Sequence, residues 1–355
     1  MRRVLVVLLL CIFVIASVCF AACENKAEPI VELTKSKEAQ AILDYLSDAN
    51  GKYVLSGQEE STWVQPLLAE YEMEYIKETT GKYPAIRGLD YINDDFEGVN
   101  ERAIAWWNKG GIVSICWHTG KNFSGGYNDC KDDVVEDWDA LLSEGTDEYN
   151  AMVEGIDKAA KALKELKDLN IPVIWRPYHE AFGDWFWWGK GEDNQERAKH
   201  YVKLWQIMYT RYTDYWKLSN LIWIEGYSHM DYEWQEKASK RGVNADKWYV
   251  GNDYCDMIGA DTYKDGTHLQ LNTKISTINK ANKPTAYHEC GIIPTVDELK
   301  TTNWSYFLTW HTNYLIDGYE LYETNYVNTK EHLNEVYNSA YVITLDELPN
   351  FKTNN

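Results

Sequence analysis

Two short stretches bring a carboxylate into the same chemical setting: Trp175-Arg176-Pro177-Tyr178-His179-Glu180 and Ala286-Tyr287-His288-Glu289-Cys290. Each puts a glutamate directly after a Tyr-His pair, at the end of an apolar run. Two carboxylates facing one pocket suit glycoside hydrolysis. One acid protonates the leaving oxygen while the other attacks or stabilises the sugar cation, and a separation of roughly 5 to 5.5 Å gives net retention. Such a mechanism needs one of the two carboxyls protonated when the bond breaks and ionised when water attacks, so its pKa must lie above that of the other. The neighbouring negative charge raises it, and desolvation by nearby rings adds in the same direction.

Those rings follow at once. Trp185, Phe186, Trp187 and Trp188 occupy four successive positions between Asp184 and Gly189. Burying all of them would leave indole N–H donors unmet, so part of the cluster is expected to form a platform for the flat C–H face of a sugar. Asp, His and Arg side chains would then bind the hydroxyls. The competing reading makes each glutamate one half of a structural ion pair, with Arg176 as a partner. A catalytic metal is not expected. The sequence contains no HxH or HExxH, and neighbouring residues near a strand end point to different sides.

To meet in one pocket, the two glutamates need strands that end on the same face. Apolar, β-branched segments recur at YVLSG (from 53), YPAIRGLDY (83), GGIVSICWH (110), IPVIWRPYHE (171), LIWIEGYS (221), CDMIGADTY (255), PTAYHECG (284) and WSYFLTWHTN (304). Amphipathic stretches such as YNAMVEGIDKAAKALKELKDLN, 149 to 170, lie between them. Eight strand-helix units predict a single-domain α/β fold of the (β/α)8 TIM-barrel type, whose strands are apolar throughout because both faces are covered. An open doubly wound sheet fits less well, since no glycine-rich phosphate loop follows the first strand. Barrel chemistry sits at the C-terminal ends of the strands. Those ends carry Trp117 and His118, His179 and Glu180, Tyr263, His288 and Glu289, and Trp310 and His311.

Composition narrows the ligand. The 355 residues are 45% apolar and 25% charged, with 16 Trp and 26 Tyr, more rings than packing requires. The formal net charge of −20 argues against nucleic acid or an anionic polysaccharide, leaving a neutral ligand. Residues 1–23, MRRVLVVLLLCIFVIASVCFAAC, read as a basic n-region, an apolar h-region and small residues before Cys23, an export signal. An uncleaved anchor is the competing reading. Ala21-Ala22-Cys23 resembles a bacterial lipobox that would lipidate Cys23, so the membrane is expected as a partner only through that anchor. Residues 24–36 then form a short linker and 37–355 the catalytic domain. Cys116, Cys130, Cys255 and Cys290 remain, free to pair in an exported protein, and the absence of CxxC argues against zinc.

With these residues in place, the chain resembles glycoside hydrolase family 26, a family of retaining (β/α)8 enzymes best known as β-mannanases. The resemblance covers nearly the whole mature chain. It is most specific in WRPYHEAFGDWFWWG, residues 175–189, similar to the family's W-R-P-x-H-E-x-x-G-x-W-F-W-W-G. It implies that Glu180 is the acid/base, Glu289 the nucleophile, and Tyr263 the residue that orients the nucleophile. It also implies that His118, Arg176, His179, Trp185 and Trp310 hold the sugar. Ala181-Phe182 and His288 depart from the family pattern, at positions that affect which sugars fit. The implied activity is an exported endo-β-1,4-mannanase acting on mannan-type plant polysaccharide as a monomer, without cofactor. β-1,3:1,4-Glucan, β-1,3-xylan and exo-acting mannobiose release are same-fold alternatives. A non-catalytic carbohydrate-binding lipoprotein or a protein-binding scaffold would have no use for paired carboxylates.

Overall fold

The computed structural model describes residues 33–63, 69–191, 194–228, 245–263, 266–315 and 328–353. Residues 1–23, read above as an export signal, and Cys23 with them lie outside these. From Leu33 onward the chain forms one compact unit. Among the described residues no helix is long and apolar enough to cross a membrane.

Eight barrel positions are filled in chain order. The first strand is split into β1 (Val54–Leu55) and β2 (Gly57–Glu59), and there follow β3 (Ile86–Asp90), β4 (Ile112–Cys116), β5 (Val173–Arg176), β6 (Leu221–Ser228), β7 (Met257–Thr262), β8 (Thr285–Cys290) and β9 (Trp304–Thr309). Each pairs in parallel with the next, and β9 closes on both β8 and β2. Nearly every strand residue is buried, as expected where helices cover one face and the barrel interior fills the other. All eight expected strands are present. A short β10 (Val342–Ile343), not anticipated, pairs with β1.

The outer layer begins with α1 (Lys37–Ala49), whose first turn is capped by Ser36 Oγ accepting from the Ala39 amide. Lys35 ties the preceding residues to the barrel by pairing with Asp256 at 2.7 Å. Then come α2 (Tyr71–Thr80), α3 (Phe96–Lys109), α4 (Tyr127–Asp132), α5 (Trp138–Leu142) and α6 (Asp147–Asp168). The last is the helix expected at 149–170. It starts two residues earlier because Thr146 caps the Tyr149 amide and Asp147 and Glu148 complement the helix dipole. The set is completed by α7 (Asn194–Thr210), α8 (Thr267–Ile278), α9 (Val296–Thr301), α10 (Thr312–Leu315) and α11 (Lys330–Tyr337).

Strand register decides what lies at the top of the barrel. Asp90, Cys116 and Arg176 are successive partners across β3, β4 and β5. On the far side Ala260 pairs with Tyr287 but Asp261 pairs with Glu289, so His288 is the extra residue of a β-bulge. A bulge re-aims the side chains around it. Here it defeats the expectation that His288 and Glu289 diverge, because both contact the Arg176 guanidinium. The His288 ring fits because Gly226 and Gly259 present no side chain: a Cβ on either would lie within 2.4 or 2.7 Å of it.

Cys116, Cys130, Cys255 and Cys290 are all buried and free, so the pairing open to an exported chain is not made. Burial pushes the thiols of all four upward, which keeps them protonated.

Candidate active site

A cleft of about 550 Å³ opens at the C-terminal ends of the strands. Glu180, Glu289, His118, Trp185, Tyr263 and Trp310 line it. Six of the residues expected from sequence are thus brought together. Arg176 and His179 are not among the lining residues.

Arg176 is fully buried behind Glu289. Its Nη1 donates to Glu289 Oε2 at 3.1 Å and to the His288 carbonyl at 3.0 Å, while Nη2 lies 3.8 Å from Glu59 Oε2. It holds the carboxylate and does not line the cleft. The ion pair considered for Glu289 is made, and the same carboxylate still lines the cleft. His179, 1% exposed, sits with Nε2 3.7 Å from Glu289 Oε2. Burial, then the charges of His118 and Arg176, pull its pKa well below the usual histidine value, so it stands there as a neutral ring.

Glu180 is reached by a strained turn. β5 ends at Arg176, and the next four residues include Tyr178 (φ 48°) and Glu180 (φ 54°), both in the left-handed region that non-glycine residues seldom occupy. This carboxyl is therefore presented on a turn beyond the strand and not on the strand end itself. Its partner is Trp185, whose Nε1 donates to Oε2 at 2.6 Å. The indole can fold back only because residue 183 is glycine: a Cβ there would fall 2.0 Å from the ring. Burial and then the charge of Glu289 push the Glu180 pKa up to about 7, against the opposing hydrogen bond from Trp185. The direction is the one expected from sequence. The order of causes is reversed, with desolvation ahead of the carboxylate pair.

On the facing side Tyr263 hydroxyl donates to Glu289 Oε1. Glu289 is thus gripped at both oxygens, by a phenol and a guanidinium. Asp261 is a third carboxyl that the sequence reading did not single out. One of its oxygens lies within 4.8 Å of ligand atoms on His179 and Glu289. Burial, followed by the negative charges of Glu180 and Glu289, keeps it well above the usual carboxylate range.

The ring cluster divides between core and cleft. Trp187 and Trp188 are fully buried and their donors are satisfied, to the Thr119 carbonyl and the His179 carbonyl, each at 2.8 Å. They brace the turn that carries Glu180. Phe186 only edges the cleft, and Trp185 alone of the four is half-buried beside it. The aromatic walls come instead from elsewhere: Trp63 packs on Trp310 with centroids 5.7 Å apart, Tyr314 packs on Tyr263 at 4.9 Å, and Tyr127 meets His118 at 5.8 Å. Trp63, Tyr127 and Tyr314 were missed. The signal available was their place in the segments just after the first, third and eighth strands.

His118 is fixed by Asp90, which accepts from its backbone amide at 3.0 Å and contacts Nδ1 at 2.5 Å. Burial opposes a charge there, but Asp90 outweighs it and lifts the pKa. Among the described residues two clusters have the residue types of metal ligands, Asp90–Cys116–His118 and His179–Asp261–Glu289. Their chemistry fits a metal poorly. Cys116 is held protonated, Asp90 is engaged by His118, and Glu289 is engaged by Arg176.

An α/β barrel with two unlike carboxyls at the mouth and a cleft walled by rings is an arrangement suited to glycoside hydrolysis. Residues 31–347 match the model of Glycosyl hydrolase family 26, and the chain belongs to that family. It is 33% identical over 336 residues to mannan endo-1,4-beta-mannosidase B of Piromyces sp., an alignment covering 89% of this chain and 53% of that protein. Three curated relatives are covered over 49 to 61% of their own length. Among solved structures, a ruminal GH26 endo-beta-1,4-mannanase superposes with a TM-score of 0.74 at 32% identity, covering 89% of this chain and 69% of that one. A beta-mannanase from a symbiotic protist of the termite Reticulitermes speratus, complexed with gluco-manno-oligosaccharide, gives a TM-score of 0.74 at 28% identity, covering 89% and 96%.

Proposed function

We propose that the protein is an exported, retaining endo-β-1,4-mannanase acting on neutral mannan, glucomannan or galactomannan. The observation that carries this is the contrast between two neighbouring carboxyls. Glu180 is held up at about 7, while Glu289 lies between Arg176 and Tyr263, which stabilise its charge. Environments that separate two carboxyls in this way assign an acid and a nucleophile.

Glu180 gives its proton to the glycosidic oxygen as Glu289 attacks the anomeric carbon, and a glycosyl ester forms while the leaving sugar departs. Esterification removes the Glu289 charge, so the Glu180 pKa falls. Glu180 then takes a proton from water as that water attacks the ester, releasing sugar of unchanged anomeric configuration and restoring both groups. Binding of mannose units draws support from the named relatives and from the rings of the cleft.

The test is chemical rescue. Glu180→Ala should lose several orders of magnitude in turnover on mannan and regain part of it with azide or an aryl leaving group that needs no proton. Rescue confined to Glu289→Ala would reverse the assignment. Lichenan and β-1,3-xylan assayed beside mannan decide among polymers. The lipobox reading of Cys23 predicts that native protein partitions into detergent and that Cys23→Ala is released to the soluble fraction. Unchanged membrane association of the variant would favour an uncleaved anchor.

A further inference from the structure

The outer wall of the barrel carries a second cavity, of about 980 Å³, that shares no lining residue with the cleft. Its walls come chiefly from α6 and α7. At its edge α7 runs into a π-helical turn, Arg211–Tyr215, a geometry that recurs at functional sites.

That turn builds a rigid aromatic surface. Tyr215 is 63% exposed, yet its ring is held. The Arg211 guanidinium stacks on one face, 3.5 Å from the centroid. Arg211 is in turn fixed to Asp157 by two hydrogen bonds, from Nε at 3.0 Å and Nη2 at 2.7 Å. Trp216 donates to the same carboxylate at 2.7 Å and meets the Tyr215 ring edge-on, with centroids 5.7 Å apart. One face and one edge of Tyr215 are thus braced from below, which lowers the entropic cost of stacking a ligand on the rest.

We propose that this groove is a non-catalytic site for a stretch of neutral β-linked polysaccharide, the same class that the cleft is proposed to cut; it rests on that reading for the choice of polymer. Sugars stack on rigid rings, and Tyr149 and Tyr254 supply two more along the groove. Asn150 and Gln206 add amides, which can both donate and accept toward hydroxyls. Charge disfavours an anionic ligand. Glu144, Glu154 and Asp214 outnumber Lys203 and Arg211, and the charge of Arg211 is already met by Asp157. On a polymer chain, a second grip raises the effective concentration of bonds at the cleft without touching the chemistry.

The experiment compares wild type with Tyr215→Ala and Asn150→Ala, two surface changes that leave the core intact. Adsorption to insoluble mannan is measured by depletion, and initial rates are taken on that polymer and on soluble mannohexaose. Loss of a stacking ring should weaken adsorption by about three- to tenfold and slow attack on insoluble mannan, with the mannohexaose rate unchanged. Equal adsorption of wild type and both variants, or an equal loss on mannohexaose, overturns the groove. Wild type that leaves mannohexaose intact overturns the mannanase reading alone, and the adsorption comparison repeated on the β-linked polymer that the enzyme does cut then decides the groove.

Discussion

Trp185 Nε1 donates to Glu180 Oε2 across 2.6 Å, so the ring that borders the cleft also sets the charge state of the acid. A hydrogen bond to a carboxylate favours the ionised form and pulls against the burial that favours the neutral one. Any change at residue 185 therefore alters both the cleft wall and the environment of the Glu180 proton.

For Trp185→Phe the two effects separate. Loss of the donor removes a term that lowers the Glu180 pKa, so the alkaline limb of kcat/KM should move to higher pH. A charge-assisted hydrogen bond is worth about 1.5–3 kcal/mol, so the rate at the optimum should drop by about tenfold or more. An alkaline limb that stays in place or moves down would show that the indole does not control this proton.

Glu180 also leaves a signature in stability. Its folded pKa of about 7 lies above the ordinary 4.5. A group raised in the folded state contributes stability that is fully present below 4.5 and is lost as pH rises through 7. The loss amounts to about 3 kcal/mol as an upper figure. Glu180→Gln, which never ionises, should match wild type in melting temperature at pH 4 and exceed it by several degrees at pH 8. A constant difference across that range would place the cost outside Glu180 ionisation.

Arg176 shows where sequence reading stopped. The eight strands were legible because parallel barrel strands are apolar on both faces, and Glu180 and Glu289 were legible because each closes such a run after Tyr-His. Arg176 lies inside the same run, and nothing local says whether a polar residue there faces ligand or another strand. Its partners Glu59, His288 and Glu289 come from β2 and β8, far along the chain. Asp261 and Asp90 were obscure for the same reason. Which rings of the cluster are buried was not legible, because the carbonyls that satisfy Trp187 and Trp188 belong to Thr119 and His179, groups whose approach depends on the folded loops.

Moving Arg176 behind Glu289 makes its own prediction. Arg176→Met should lower kcat on mannan by about 100-fold while KM changes by less than about threefold, because the group orients a reacting atom and touches no sugar. It should also lower stability by roughly 3–5 kcal/mol, since a buried partner of Glu289 is gone. A variant whose KM rises with kcat preserved would put the guanidinium back in the cleft.

The last prediction asks what sets the acid. Burial is the largest cause of the raised Glu180 pKa and the charge of Glu289 the second. In Glu289→Gln the charge is removed and the desolvation stays. Titrated directly by carbon NMR, Glu180 should therefore move down from about 7 but stop above the ordinary 4.5. The same partial descent is what the glycosyl ester would produce during turnover, turning the acid into a base. A fall all the way to 4.5 would make the carboxylate pair the sole control. No movement at all would mean that esterification cannot switch Glu180 from acid to base, and the proposed double displacement would need another source for the second proton transfer.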